Sequence, residues 1–174
     1  MFLISIPRAV LCAGLLAALA GCATQTGQAR PEGAAAARAT TSADSLAQTR
    51  WELTGWVDAL GNRRNIPHGD NGEPISLTFL ADGKRYVVQG FSGCNRYSGA
   101  YKLEAGKLSI TAPASTRMAC PDPRRAQLEI DYLRALADIR SFTLDASGAP
   151  RHLTFNVATG DVLDFTRRQD PPTP

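Results

Sequence analysis

The chain has 174 residues, with 19 Lys+Arg against 16 Asp+Glu and a formal charge of +3. Charge so nearly balanced, carried by scattered cations, leaves no electrostatic footprint for nucleic acid. The length suffices for one domain with its own core.

The first stretch, MFLISIPRAVLCAGLLAALAGC, carries one cation, Arg8, then an apolar run from Ala9 to Leu19 and the small residues Ala20 and Gly21. That order is the signature of a secretory signal. The apolar run is about half what a bilayer-spanning helix needs. Leu19-Ala20-Gly21-Cys22 resembles the lipobox of bacterial lipoproteins. The resemblance implies that residues 1–21 are a removed signal and that Cys22 takes diacylglycerol and a further acyl chain such as palmitate. Two or more chains anchor a protein stably. Ala23 rather than Asp follows the cysteine. By the enterobacterial sorting pattern, that implies the outer membrane, facing the periplasm. Residues 22–48 continue as a linker rich in Ala, Thr, Gly and Gln, with Leu46 its one large aliphatic. Such a segment buries too little apolar surface to offset its ordering entropy. Residues 168–174 read as a tail, with Pro171, Pro172 and Pro174 removing backbone donors.

Residues 49–167 are left as the folded domain. The dominant pattern is alternation, the period of a half-buried strand. Trp51, Leu53 and Val57 fall on one face; so do Ile75, Leu77 and Phe79. Tyr86, Val87 and Val88 are apolar on both faces, as in a central strand. Leu108 with Ile110, Phe142 with Leu144, the trio Leu153, Phe155 and Val157, and Leu163 with Phe165 complete the series. Asp82-Gly83, Ala105-Gly106, Ser147-Gly148 and Thr159-Gly160 supply turn chemistry between strands. Strands joined so tightly are antiparallel. Residues 60–74 form a longer polar connection.

One segment departs from alternation. From Asp122 to about Ile139, Asp122 offers a cap, Pro123 suits the first helical position, and Ile130, Leu133, Leu136 and Ala137 form an apolar stripe. Arg124-Arg125 and Arg167-Arg168 read as solvated pairs. The fold class expected is mainly β (α+β): an antiparallel, strongly curved sheet or partial barrel of about eight strands with one amphipathic helix.

Of four cysteines, Cys12 leaves with the signal and Cys22 takes lipid, so Cys94 and Cys120 remain. In an oxidising compartment they pair, or they stand as two reduced core thiols. Pairing would close a loop of about 27 residues, worth roughly 3.5 kcal/mol in the chain-entropy account.

Gly93-Cys94-Asn95, then Gly99 and Tyr101, give the spacing GCNxxxGxY. This resembles the META domain of HslJ-like envelope lipoproteins. Thr116, Met118, Ala119 and Cys120 match its T-x-M-A-C element, Glu129, Tyr132, Leu133 and Leu136 its helix, and Leu163-Asp164-Phe165 its closing strand. The resemblance spans about residues 49–167. It implies a mostly β fold and a loose link to envelope stress, motility and secretion, with no agreed ligand. Physically, Gly93 and Gly99 suit positive φ or a close backbone approach. Asn95 suits an Asx-turn, Tyr101 a buried site with a partner for its hydroxyl, and Thr116 the satisfaction of a stray amide.

Catalytic signatures are near misses. Gly90-Phe91-Ser92-Gly93-Cys94 has Cys where a nucleophile elbow has its last Gly, and lacks the strand-to-helix setting. His68 and His152 have no zinc-type spacing, and Asp70-Asn71-Gly72-Glu73 lacks a full calcium loop. Cys94 as a nucleophile would need a base beside it. The expectation is therefore no catalytic residue, metal or cofactor. It is a non-enzymatic lipoprotein on the membrane through Cys22, contacting an envelope protein or holding an apolar small ligand in the curve of the sheet. An inhibitor or assembly helper for a secretion machine is the alternative, and a hydrolase using Ser92 or Cys94 the remaining one.

Overall fold

The computed structural model describes residues 45–111, 113–145 and 149–168. The signal, Cys22, the linker through residue 44, Gly148 and the tail from residue 169 lie outside them. In chain order the elements are β1 (Thr49–Val57), β2 (Ser76–Asp82), β3 (Arg85–Phe91), β4 (Arg96–Glu104), β5 (Lys107–Ile110), β6 (Ala114–Ser115), α1 (Pro123–Ala137), β7 (Ile139–Leu144), β8 (His152–Val157) and β9 (Val162–Arg167). Tight links such as Ala105-Gly106, with φ of +50° and +77°, have the handedness that a two-residue hairpin turn needs.

All pairings are antiparallel, in the order β5-β4-β3-β2-β1-β9-β8-β7, and β6 joins β4 beyond the end of β5. Strands β5 and β7 lie alongside each other with no ladder between them among the described residues. Among the described residues the result is a nearly closed eight-stranded barrel with a single helix. Alternation puts Leu77, Phe79, Val88, Leu108, Phe155 and Phe165 inside.

Four expectations are corrected. The sequence phase put Val57 beside Trp51 and Leu53, but the register shifts between Leu53 and Gly55. This bulge brings Trp56 inside, 2% exposed, and leaves Val57 half-buried. The indole N–H of Trp56 donates to Asp161 Oδ2 at 2.8 Å, which satisfies the polar end of the ring. Leu46, assigned to the linker, is fully buried, and its carbonyl accepts from the Thr49 hydroxyl at 2.5 Å.

The inward face of the helix is rotated from the expected stripe: Leu136 is buried and Leu133 packs against the core as expected, but Ile130 and Ala137 are not part of it. Asp122 caps it, accepting from Arg124 N at 2.9 Å, with Pro123 in the first turn. The buried residues are Arg125, Leu128, Tyr132, Ala135 and Leu136, whereas Ile130 is 51% exposed and Ala137 is exposed. Leu128 and Leu136 lie one turn either side of Tyr132, so the aromatic ring sets the face. Arg125 is consequently not solvated: its side chain is 11% exposed and pairs with Asp70 at 2.5 Å. Arg64 pairs with Asp131 at 2.5 Å and lies over the Trp56 ring at 4.3 Å. These pairs tie the long connection of residues 60–74 to the helix.

Tyr132 reaches the barrel interior through Tyr97. Their hydroxyls are 3.1 Å apart, their rings meet edge to face at 5.7 Å, and Tyr97 donates to the Ser76 carbonyl at 2.9 Å. Glycine is required at position 90, where a Cβ would lie 1.9 Å from Ser76 O and 2.9 Å from the Tyr97 hydroxyl. Burial pushes Tyr97 well above its ordinary value of 10.0, with Tyr132 adding to the rise. Burial raises Tyr132 too, against the opposing effect of its hydrogen bond with Tyr97.

Both phenols thus ionise at higher pH in the fold than in the unfolded chain. Their stabilising contribution is complete below the ordinary tyrosine value and is lost as pH rises above it, by up to about 1.4 kcal/mol per pH unit for each group. Urea unfolding from pH 8 upward is expected to show stability falling beyond pH ~10. The Tyr97→Phe/Tyr132→Phe double variant should fall less steeply. Equal slopes would rule out the pair as the cause.

Candidate functional site

The motif residues converge where β3 passes into β4. After Phe91 the chain makes a bend, Ser92 to Asn95, with Gly93 at φ +101°. Ser92 N donates to Asn95 O at 2.9 Å and closes the bend. The Ser92 hydroxyl has two acceptors in reach, Glu129 Oε2 at 2.6 Å and Asn95 O at 2.7 Å. Glu129 projects from α1 and takes two further bonds from Asn95: the backbone N–H at 2.8 Å and Nδ2 at 3.1 Å.

The Asn95 side chain turns the other way as well. Its Oδ1 accepts from Met118 N at 2.9 Å and from the Thr116 hydroxyl at 3.0 Å, while Nδ2 also reaches Met118 O at 3.4 Å. Asn95 therefore serves long-range contacts with another segment, not the Asx-turn expected of it. Thr116 fills its expected role, its Oγ1 accepting from Arg96 N at 3.2 Å. Cys94 and Cys120 are joined by a disulfide with Cα atoms 5.9 Å apart. Loop, strap (residues 114–120) and helix are thus held at one point.

Of the motif residues, Gly93, Cys94, Asn95, Thr116, Met118 and Cys120 meet in this clasp. Met118 joins through its backbone; its residue is 62% exposed, and Ala119 is exposed beside it. Gly99 stands further along β4, where a Cβ would come 2.8 Å from Thr111 O, so it admits the strap to the sheet. Tyr101 lies deeper in the core, edge-on to Phe79 at 4.8 Å and to Tyr86 at 5.5 Å.

The arrangement builds structure. Ser92 is fully buried, with its proton directed to Glu129 or Asn95 O. His68 and His152 are both exposed, and neither is among its hydrogen-bond partners. Asp70 and Glu73, the carboxylates of the calcium-like stretch, pair with Arg125 and Arg96. Among the described residues no group of three or more His, Cys, Asp and Glu could hold a metal. Glu129 is the one residue central to the clasp that sequence reasoning had noted only as a helix match. A carboxylate next to Leu128 and three residues before Tyr132 was the available signal.

These features define a class: a nearly closed antiparallel barrel, plugged by one helix and pinned by a loop–strap disulfide. The chain belongs to the META domain family, which matches residues 44–170. It is similar to heat shock protein HslJ of Escherichia coli (strain K12), 28% identical over 110 residues that cover 58% of this chain and 78% of HslJ. It is also similar to a protein from Burkholderia xenovorans solved by NMR. That likeness has 37% identity and a TM-score of 0.66, covering 77% of this chain and 89% of the other.

Two outcomes are expected. In the oxidised protein, Cys94→Ala and Cys120→Ala should each cost up to about 3.5 kcal/mol, and the double variant no more than either single one. Additive losses in urea titrations would contradict a shared bond. Glu129→Gln puts an amide donor against donors of Ser92 and Asn95, and should lose about 2 kcal/mol. A midpoint unchanged in thermal unfolding would remove Glu129 from the account of stability.

Proposed function

We propose that this chain is a lipid-anchored, non-enzymatic lipoprotein of the bacterial cell envelope. It is held through Cys22 at the outer membrane facing the periplasm. Its META domain is a binding or structural module in envelope maintenance under stress. The observation that carries the non-enzymatic reading is the clasp. Ser92, Asn95 and Glu129 are hydrogen-bonded to one another, and Cys94 is bonded to Cys120, so the polar groups with the chemistry for a reaction are engaged. Similarity to a heat shock protein supports the stress role. The lipobox-like Leu19-Ala20-Gly21-Cys22 supports the anchor, and a disulfide fits an oxidising compartment. Trp51, Trp56, Tyr101 and Tyr132 fill the barrel interior, so partner contact is proposed at the outer surface.

The test is one complementation experiment. A strain lacking the gene receives the wild-type chain or Cys22→Ala, is fed tritiated palmitate, and is shifted to high temperature while leakage of a periplasmic enzyme is followed. The wild type is expected to carry label in the membrane fraction and to suppress leakage; Cys22→Ala should do neither. An unlabelled wild type overturns the anchor, and leakage unaffected by the deletion overturns the stress role.

A further inference from the structure

The two ends of the barrel differ in charge. At the end away from α1, the strand order puts four tips round the rim: β4–β5, β2–β3, the β1–β9 termini and β7–β8. The β2–β3 tip carries Lys84 and Arg85, and the β4–β5 tip carries Lys107. The β7–β8 connection carries Arg151, and the end of β9 carries Arg167 and Arg168. All are exposed except the half-buried Arg167. The N-terminal segment joins the domain at this same end. Leu46 is fully buried there, and Gln48 Nε2 donates to the Ala81 carbonyl beside the β2–β3 tip at 3.2 Å.

Against these six cations the rim sets three carboxylates, Asp82, Glu104 and Asp145. Arg50 has a partner of its own and is left out. Adding Arg50 to the cations, and Asp44 and Asp170 of the flanking segments to the carboxylates, leaves seven against five, so the sign holds. Among the described residues Lys84, Arg85, Lys107, Arg151 and Arg168 form no ion pair. The helix end is different: there Arg64 pairs with Asp131, Arg96 with Glu73 and Arg125 with Asp70.

We propose that this rim lies against the anionic lipid headgroups of the membrane that holds the chain, with α1 facing away from it. Cations spread over four separate tips fit a flat charged surface, whereas a compact soluble anion meets one tip at a time. Each cation brought near an anionic leaflet strengthens the contact about fivefold. The tips expose Gly83, Ala105 and Gly106 beside their cations, and the exposed large apolar residues Leu60, Met118 and Ile130 all belong to the other end. The contact is therefore electrostatic and shallow, without insertion. Residues 23–44 keep the domain within about 75 Å of Cys22 even at full extension. At that confinement a contact too weak to hold a free protein is well populated. The inference rests on the anchored reading above, and adds to it the face that meets the lipid and the lipid charge it needs.

The test uses the chain from residue 22 onward with Cys22→Ala, which contains every described residue and carries no acyl chain. Nitrogen-15 labelled protein is mixed at low salt with phosphatidylcholine vesicles, with or without about 30% phosphatidylglycerol, doped with a gadolinium-chelate lipid. Binding is expected to the anionic vesicles only and to weaken as salt rises. The amides of Gly83, Gly106 and Arg151 should broaden, and those of Met118 and Ile130 should stay sharp. Lys84→Glu/Arg85→Glu should weaken binding about tenfold or more. Arg117→Glu/Arg134→Glu, the same charge change on exposed residues of the helix end, should change it by about twofold or less. No binding to anionic vesicles, equal binding to neutral ones, or broadening centred on the helix end overturns the proposal. Equal losses from the two double variants overturn the assignment to the rim. The broadening map is read without rim substitutions, so it decides even if a variant fails to fold. Failure here leaves the anchor standing, because no lipid is attached to the protein. An unlabelled Cys22 in cells strikes the anchor while vesicle binding stands.

Discussion

Glu129 accepts hydrogen bonds from Ser92 and Asn95, and the position of the helix depends on them. Helix α1 has 15 residues, a length that is marginal in water without tertiary support. Burial of Leu128, Tyr132 and Leu136 supplies the attraction, but hydrophobic contact is non-directional and does not fix rotation or register. A carboxylate bonded to a backbone N–H and two side chains does, because each bond is directional and charge-assisted. With Glu129 fixed, Tyr132, three residues on, is placed against Tyr97 and Trp56. The helix then covers the end of the barrel at which β1 and β3 finish and β4 and β9 begin.

The strap between β5 and the helix shows why a disulfide and a polar clasp coexist. Strand β6 has only two residues, and residues 116–119 are exposed, so the strap has little burial of its own to hold it. The Asn95 bonds to Thr116 and Met118 stabilise the native arrangement directly. The Cys94–Cys120 bond restricts the unfolded chain as well, so the two contributions act on different states. Both converge on adjacent residues of the β3–β4 loop. That loop is thus a bend with partners in two other segments, where a bare hairpin turn would have sufficed to reverse the chain.

Strand phase was legible where pairing is regular. Leu77 with Phe79, Leu108 with Ile110, and Leu153 with Phe155 and Val157 all point inward as alternation requires. It failed at β1 because a bulge adds a residue that no local pattern records, exchanging Val57 for Trp56. The helix face failed for a different reason. Counting aliphatics favoured Ile130 and Ala137, whereas the fold selected the face with Tyr132, whose hydroxyl needs a buried partner that lies 35 residues away. Arg125 followed that face and met Asp70, a contact between segments that local charge counting cannot anticipate. Leu46 looked like linker because its neighbours are polar; one leucine is enough when its partners come from elsewhere. The GCN and T-x-M-A-C elements were legible as a pair, but their bonding through Asn95 and Glu129 emerges only from the assembled chain.

Ser92 and Cys94, whose chemistry suggested a nucleophile, become architecture, engaged with Glu129, Asn95 and Cys120. That follows from a small barrel whose interior is filled by its own aromatic rings and closed at one end by a helix. Polar groups placed in such an interior must satisfy one another.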